Sequence, residues 1–257
     1  MSLVQSDLVE GGRVLRIVID NPKGNVLTGA VMQSLGAALA EHEHDKKLAF
    51  VTLQGAGKHF SFGASVEEHR QDQVTEMLTV FHDLIRRIAR YPVPIAALVS
   101  GRCLGGAFEV ALACHFVIAD ESAVFACPEI QLGVFPPVLA VLGPLRLGQA
   151  LSERLLLTGG ELAANNAMGF VSELLPGGGD LEGVSLELYK KQLAPLSSYS
   201  LRQATLASRK GSGIWDAVGE PLTSIEMLYL EQLVSSHDGN EGIDAFLEKR
   251  KPAWTHQ

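Results

Sequence analysis

The 257-residue chain is poor in the features that would make it a disulfide scaffold, a membrane protein or a nucleic-acid binder. It has three cysteines, Cys103, Cys114 and Cys127, an odd number with no C-x-x-C pair, so neither a disulfide framework nor a zinc site is expected. All three stand in apolar context and read as small buried hydrophobes in a reducing cytoplasm rather than as catalytic thiols. No apolar run reaches the roughly 18 residues of a membrane span. The opening MSLVQSDLVE lacks the basic and apolar regions of a secretion signal. Positive charge is sparse: the net charge is −8, and the one dense basic cluster is the short run Lys249-Arg250-Lys251. No basic groove with interleaved aromatics is present, so nucleic acid is not expected as a partner.

What the chain does have is apolar material, 47% against 19% charged, enough for one large domain with a helical extension. Residues 4–9 and 14–19 alternate as strands around Gly11-Gly12 and predict a hairpin. Thr28 caps a helix running to about His44, and residues 49–53 form a buried strand. A strong amphipathic helix begins at Asp72 and stops at Tyr91-Pro92. Buried strands follow over 95–99, 115–119 and 123–126. Near-continuous apolar strands alternating with helices argue for a parallel α/β core, expected over residues 1–175. Helices are predicted over 145–157 and 162–168, with a strand-like stretch to Leu175. From residue 176 the pattern is helical throughout, with helices expected over 186–193, 198–209, 220–235 and 241–250. This part, residues 176–257, is expected to drive oligomerisation, because residues 225–234 hold more apolar side chains than one helix face should expose.

Two carboxylates stand out. Glu109 follows a Leu-Gly-Gly turn inside an apolar helix, and Glu129 lies between Pro128 and Ile130. A carboxylate in apolar surroundings is costly unless paired, hydrated or protonated, and two brought together make a general acid/base pair. By spacing alone, the alternatives for Glu109 (a solvent-facing helix residue) and Glu129 (a loop cap) carry equal weight. Two glycine turns, Gly63-Ala64 after one strand and Gly105-Gly106 opening a helix, expose backbone N–H groups. If they met in space they would form an oxyanion hole. The histidines show no ligand spacing such as H-E-x-x-H, and no nucleophile elbow, Walker or dinucleotide motif is present.

In order, the chain carries Asn21-Pro22-x-x-Asn25-Val26-Leu27, Phe60-Ser61-x-Gly63-Ala64 and Gly101-x-x-Leu104-Gly105-Gly106-x-x-Glu109. Further on come Phe125-x-x-Pro128-Glu129-Ile130-x-Leu132-Gly133, Leu157-Thr158-Gly159 and Glu241-Gly242-Ile243-Asp244-Ala245-Phe246-Leu247-Glu248-Lys249-Arg250. With these marks it resembles the crotonase (enoyl-CoA hydratase/isomerase) superfamily over nearly its full length. The resemblance implies a spiral of ββα units with a helical trimerisation region, assembled as a trimer or dimer of trimers. It implies an acyl-CoA thioester substrate, CoA being part of the substrate, with no metal or redox cofactor. Ala64 and Gly106 would hold the thioester oxygen. Glu109 and Glu129 match the two catalytic glutamates of hydratases, Glu109 as base and Glu129 as acid. Substrate contacts are expected from Lys23, Val26, Phe62, Ser65, Val66, Phe108, Phe135, Phe246 and Lys249.

Several stretches depart from generic hydratases, among them Ser65 in place of an aspartate and Pro136-Pro137 in place of a glycine-rich turn. They are similar to members of the superfamily that hydrate a cyclic dienoyl-CoA thioester in anaerobic aromatic degradation. A general hydratase or isomerase of short linear enoyl-CoA is the alternative. Phe62, Phe108, Phe135 and the proline pair are expected to wall a pocket for a six-membered ring, with Pro136-Pro137 lying in a loop that lacks one backbone donor.

Overall fold

The computed structural model describes residues 3–257 of the chain. Six strands make the larger sheet. They are β1 (Val4–Val9), β2 (Val14–Ile19), β3 (Phe50–Gly55), β4 (Ile95–Val99), β6 (Phe116–Asp120) and β9 (Glu173–Leu175), adjacent in that order. The first pair is the expected antiparallel hairpin, and every later pair is parallel. A smaller sheet holds β5 (Arg102–Leu104), β7 (Val124–Ala126) and β8 (Glu161–Ala163). Single bridges at Leu27–Ala64 and Ser61–Cys103 carry strand-like pairing onto the earlier turns.

The chain therefore repeats one unit: a long strand in the large sheet, a short extended piece, then a helix. β2 leads through Leu27 to α1 (Gly29–His42), and β3 through Ser61 to α2 (Val74–Ala89). β4 and β5 lead to α3 (Gly106–Ala113); β6 and β7 lead to α4 (Pro137–Leu147). Alternation along the strands serves both faces of the sheet. Val51, Leu53, Ile95, Ala97 and Val99 join the main core with α1, α2 and α3. Phe50, Ala96, Leu98 and Ile118 point the other way, onto a second cluster with Tyr189 and Leu193. Thr28 caps α1 as expected, its hydroxyl accepting from Val31 N–H.

Two expected helices differ. Residues 145–157 belong to two helices, α4 and α5 (Gln149–Thr158), separated at Gly148, whose φ of +82° breaks the run. α4 also begins eight residues earlier, at Pro137, because proline is compatible with the first helical position, where its missing N–H has no partner to lose. Residues 162–168 hold no α-helix: β8 and a 3₁₀ turn (Ala164–Asn166) occupy most of the stretch. Pairing of Leu162 with Phe125 and burial of Leu162 override the helical preference of its alanines.

After β9 the chain is helical: α6 (Leu181–Leu188), α7 (Ser198–Gly211), α8 (Ile214–Ala217), α9 (Glu220–Leu228) and α10 (His237–Leu247). Tyr189, just beyond α6, stacks on Phe50 at 6.3 Å. Ile214, Val218, Leu222 and Tyr229 enter the main core, so these helices wrap the sheets rather than stand apart from them. α10 starts at His237, four residues before the expected position, because the Ser236 hydroxyl caps it by accepting from Gly239 N–H at 3.0 Å.

Candidate active site

The two glycine turns meet. Ser61 organises the first: its hydroxyl donates to Asn25 O at 2.7 Å and accepts from Gly63 N–H at 3.0 Å. Asn25 is buried, and its amide donates to the carbonyls of Ala56, His59 and Phe60, which pins the Asn-Pro loop to this turn. Leu27 N–H donates to Gly63 O and Ser65 N–H to Leu27 O, so the pairing between these segments leaves the Ala64 N–H unused. Gly106 is the first residue of α3, and its N–H has no partner one turn back. The turns are so close that a Cβ on Gly63 would lie 2.4 Å from Leu104 O and 3.3 Å from Gly106 N. Gly106 also comes within 3.5 Å of Ala64 Cβ by the same measure.

Glu109 projects from the first turn of α3 and is buried. Its Oε1 accepts from Val138 N–H at 2.7 Å and Leu139 N–H at 2.9 Å, the first free donors of α4. Contrary to the expected loop, Pro137 is the first residue of α4, where its missing N–H costs no helical bond, and the next two N–H groups of that helix bind the glutamate. Glu129 lies in a 3₁₀ turn (Pro128–Leu132) fixed by Pro128 at its start and left-handed Gly133 at its end. Its Oε2 is buried without a hydrogen-bond partner among the described residues. The carboxyl reaches across to the other turn, where a Cβ on Gly105 would lie 2.6 Å from Glu129 Oε1.

Both carboxyls line one narrow cavity of ≈ 20 Å³ together with Ala64, Gly106, His69, Phe81, Phe135, Pro136, Pro137 and Tyr229. Burial raises both above the ordinary carboxylate range. The Leu139 and Val138 N–H groups pull Glu109 back down, while the neighbouring Glu109 charge pushes Glu129 further up. The pair therefore holds a shared proton more readily on Glu129, leaving Glu109 the better base. His69 Nδ1 lies 2.7 Å from Ser65 O; a carbonyl can only accept, so Nδ1 carries the hydrogen, and burial lowers the ring's pKa. The three cysteines are buried and their thiols are raised by burial, which keeps them protonated.

Of the other expected contacts, Phe135 and the proline pair do line the cavity. Phe108 does not: it is fully buried and packs on Phe125 and Phe170 at 5.2 and 5.6 Å, because its side chain leaves α3 on the core side. Phe62 does not wall the cavity either. It is exposed, its N–H donates to Gly24 O, and its ring lies on Gly24 and His59. Its backbone pairs with the loop of residues 23–26 at Gly24, and none of Lys23, Val26 and Phe62 lines the cavity. Ser65 and Val66 follow the Ala64 turn. Phe246 and Lys249 are exposed at the end of α10 and do not reach the cavity of their own chain. Sequence reasoning missed Tyr229, His69 and the N–H pair of α4. A lone phenol in the apolar run 225–234 and a Pro-Pro-Val-Leu helix start were the signals available.

A wider groove between α1 and α2 is lined by Arg86, Arg87, Glu43 and Asp83, whose charges are already paired with one another. Among the described residues no cluster of three or more His, Cys, Asp or Glu side chains is suited to a metal, and no helix is long and apolar enough to cross a membrane.

The profile of the family Enoyl-CoA hydratase/isomerase matches residues 10–257. The cyclohexa-1,5-dienecarbonyl-CoA hydratase of Thauera aromatica is 40% identical over 252 residues, covering 97% of this chain and 96% of its own. The 2,3-dehydroadipyl-CoA hydratase of Escherichia coli (strain K12) is 31% identical over 245 residues, 93% and 94% of the two chains. Among solved structures, carnitinyl-CoA hydratase from Mycobacterium avium superposes with a TM-score of 0.83 over the whole of both chains at 29% identity. An enoyl-CoA hydratase/isomerase from Pseudoalteromonas atlantica T6c gives 0.84 at 27% identity, over 98% and 100%. The two-sheet spiral is thus the crotonase fold, and the chain belongs to the enoyl-CoA hydratase/isomerase family as an enzyme of its hydro-lyase type.

Proposed function

We propose that the protein hydrates cyclohexa-1,5-diene-1-carbonyl-CoA to 6-hydroxycyclohex-1-ene-1-carbonyl-CoA, a step of anaerobic benzoyl-CoA degradation in the cytoplasm. The observation that carries the chemistry is the pair of unlike carboxyls, Glu109 and Glu129, lining one cavity with Ala64 and Gly106. Support for the ring substrate comes from the Thauera aromatica relative, whose name states that activity, and from the rigid wall of Phe135, Pro136 and Pro137.

In this reading the Ala64 and Gly106 N–H groups polarise the thioester carbonyl. Glu109 takes a proton from water, and the water oxygen bonds to the β carbon of the ring. The electron pair released spreads over the thioester oxygen and the second double bond. Glu129 gives its proton to the carbon at the far end of that system, completing a 1,4-addition of one water. The reaction is redox-neutral and asks nothing of a metal or redox cofactor. In this reading Lys23, Val26, Phe62, Ser65 and Val66, next to the Ala64 turn in the chain or paired with it, would contact the CoA arm. Phe246 and Lys249 would meet it from a neighbouring subunit in a homotrimer or dimer of trimers. Phe108 has no part in it.

The test is a side-by-side specificity constant for the cyclic dienoyl-CoA and crotonyl-CoA, with product mass read for the gain of one water. A clear preference for the ring is expected. Equal or higher values with crotonyl-CoA would remove the ring assignment in favour of a general enoyl-CoA hydratase, and no hydration of either would remove the hydratase reading.

A further inference from the structure

Tyr229 is 2% exposed, yet its phenol oxygen has no hydrogen-bond partner among the described residues. A buried hydroxyl left unpaired is destabilising. Packing does not explain it, because phenylalanine would fill the same space against Phe135, which the ring meets edge-on at 5.4 Å. The phenol lines the cavity that holds both glutamates, and Glu129 Oε2, on the same cavity, is also buried and unpaired. Two orphaned polar groups around one cavity are complementary to a small guest oxygen, one that accepts from a phenol and exchanges a hydrogen bond with a carboxyl.

The backbone also prepares this position. The helix widens to a π turn at Tyr229, where Val234 N–H donates to Tyr229 O, five residues back, at 3.2 Å. Such turns are a local distortion often found at functional sites. One turn earlier, Glu226 Oε2 lies 2.6 Å from Nδ1 of fully buried His82 on α2, which fastens α9 beside Phe81, itself a cavity residue. Burial first, then the charges of Glu129 and Glu109, raise the phenol far above its ordinary pKa, so it stays protonated and acts as a donor.

We propose that Tyr229 is a third catalytic residue of the hydration, its hydroxyl donating a hydrogen bond to the oxygen of the attacking water, the oxygen that becomes the product hydroxyl. This rests on the hydratase reading above. The phenol keeps its own proton throughout. The water proton goes to Glu109, the ring receives the Glu129 proton, and Tyr229 orients the oxygen lone pair toward the β carbon.

Tyr229→Phe tests this on whichever thioester the unaltered enzyme hydrates. The expected result is a kcat reduced by about 10- to 100-fold, the scale of one hydrogen bond at a reacting centre, with KM unchanged and a melting temperature equal to or above that of the parent. Unchanged kcat, or a loss confined to KM, would overturn the role. A fall in melting temperature accompanying the fall in rate would mark Tyr229 as structural and overturn it as well. A parent enzyme that hydrates neither thioester would overturn the hydratase reading and this inference together, an outcome distinct from a Tyr229→Phe variant as fast as an active parent.

Discussion

Glu109 Oε1 accepts two helix N–H groups, whereas Glu129 Oε2 accepts none, and in the proposed mechanism this difference sets base against acid in two chemically identical side chains. Donors aimed at a carboxylate stabilise its charged form; an unpaired carboxyl beside a charged neighbour is held protonated. Glu109→Gln and Glu129→Gln should each lower kcat by about 100-fold or more, the range of general acid–base catalysis. Near-normal turnover in either variant would remove that residue from the mechanism. Stability separates lost chemistry from lost fold. Because the folded-state pKa of Glu129 is raised, the folded protein binds that proton more tightly than the unfolded chain does. The associated stability is complete below the ordinary carboxylate pKa and is lost as pH rises through the raised value. Glutamine has no such slope, so the Glu129→Gln variant should gain in melting temperature relative to the parent as pH increases past neutrality. A variant that melts lower at every pH would show that its inactivity comes from damage to the fold.

At the scale of elements, the site depends on two turns and one helix end. Gly105 has φ of +51° and leaves Glu129 Oε1 where a Cβ would lie at 2.6 Å. Gly105→Ala should therefore both strain the backbone, by about 1–3 kcal/mol, and displace the acid, with kcat falling more than tenfold. Gly11→Ala is the control: its φ of +69° imposes comparable strain, but nothing lies within 4 Å of the added Cβ, so turnover should be unchanged. Equal activity in the two variants would show that Gly105 serves the turn alone. These turns were legible in the sequence because glycine next to an apolar helix start has a local cause. Strands β1 to β4, the Thr28 cap and both glutamates were legible for the same reason, since periodicity and isolated charge are local signals. The start of α4 was not. A Pro-Pro pair suits both a loop and a first helical turn, and only the acceptor brought by Glu109 from another helix decides between them. β8 was hidden because an alanine-rich segment becomes a strand when β7 supplies a partner. Phe62 and Phe108 flank the right turns in sequence, but side-chain direction places one outside and one in the core.

Over the whole molecule, apolar side chains remain uncovered in the later half of the chain. Met168 is 86% exposed and Leu157 68%, and Met227 and Leu228 stand next to each other on α9, each about half exposed. α9 leads directly into Tyr229, which lines the cavity. Single exposed apolar residues are ordinary on a monomer; neighbouring ones on a helix that itself buries only Leu222 mark a surface meant to be covered. We expect a closed symmetric oligomer, a trimer or a dimer of trimers, with this region in the contact. Light scattering at micromolar concentration should then give three or six times the 27.5 kDa chain mass. Leu228→Asp should shift that mass toward one chain. A charge on a free surface costs at most about 0.5 kcal/mol, whereas one buried unpaired in an interface is far more damaging. Should Phe246 and Lys249 meet the CoA arm of a neighbour, as proposed, the dissociated variant would also show a raised KM for the thioester with its glutamate pair intact. A monomeric parent protein with full activity would contradict both the assembly and that shared contact.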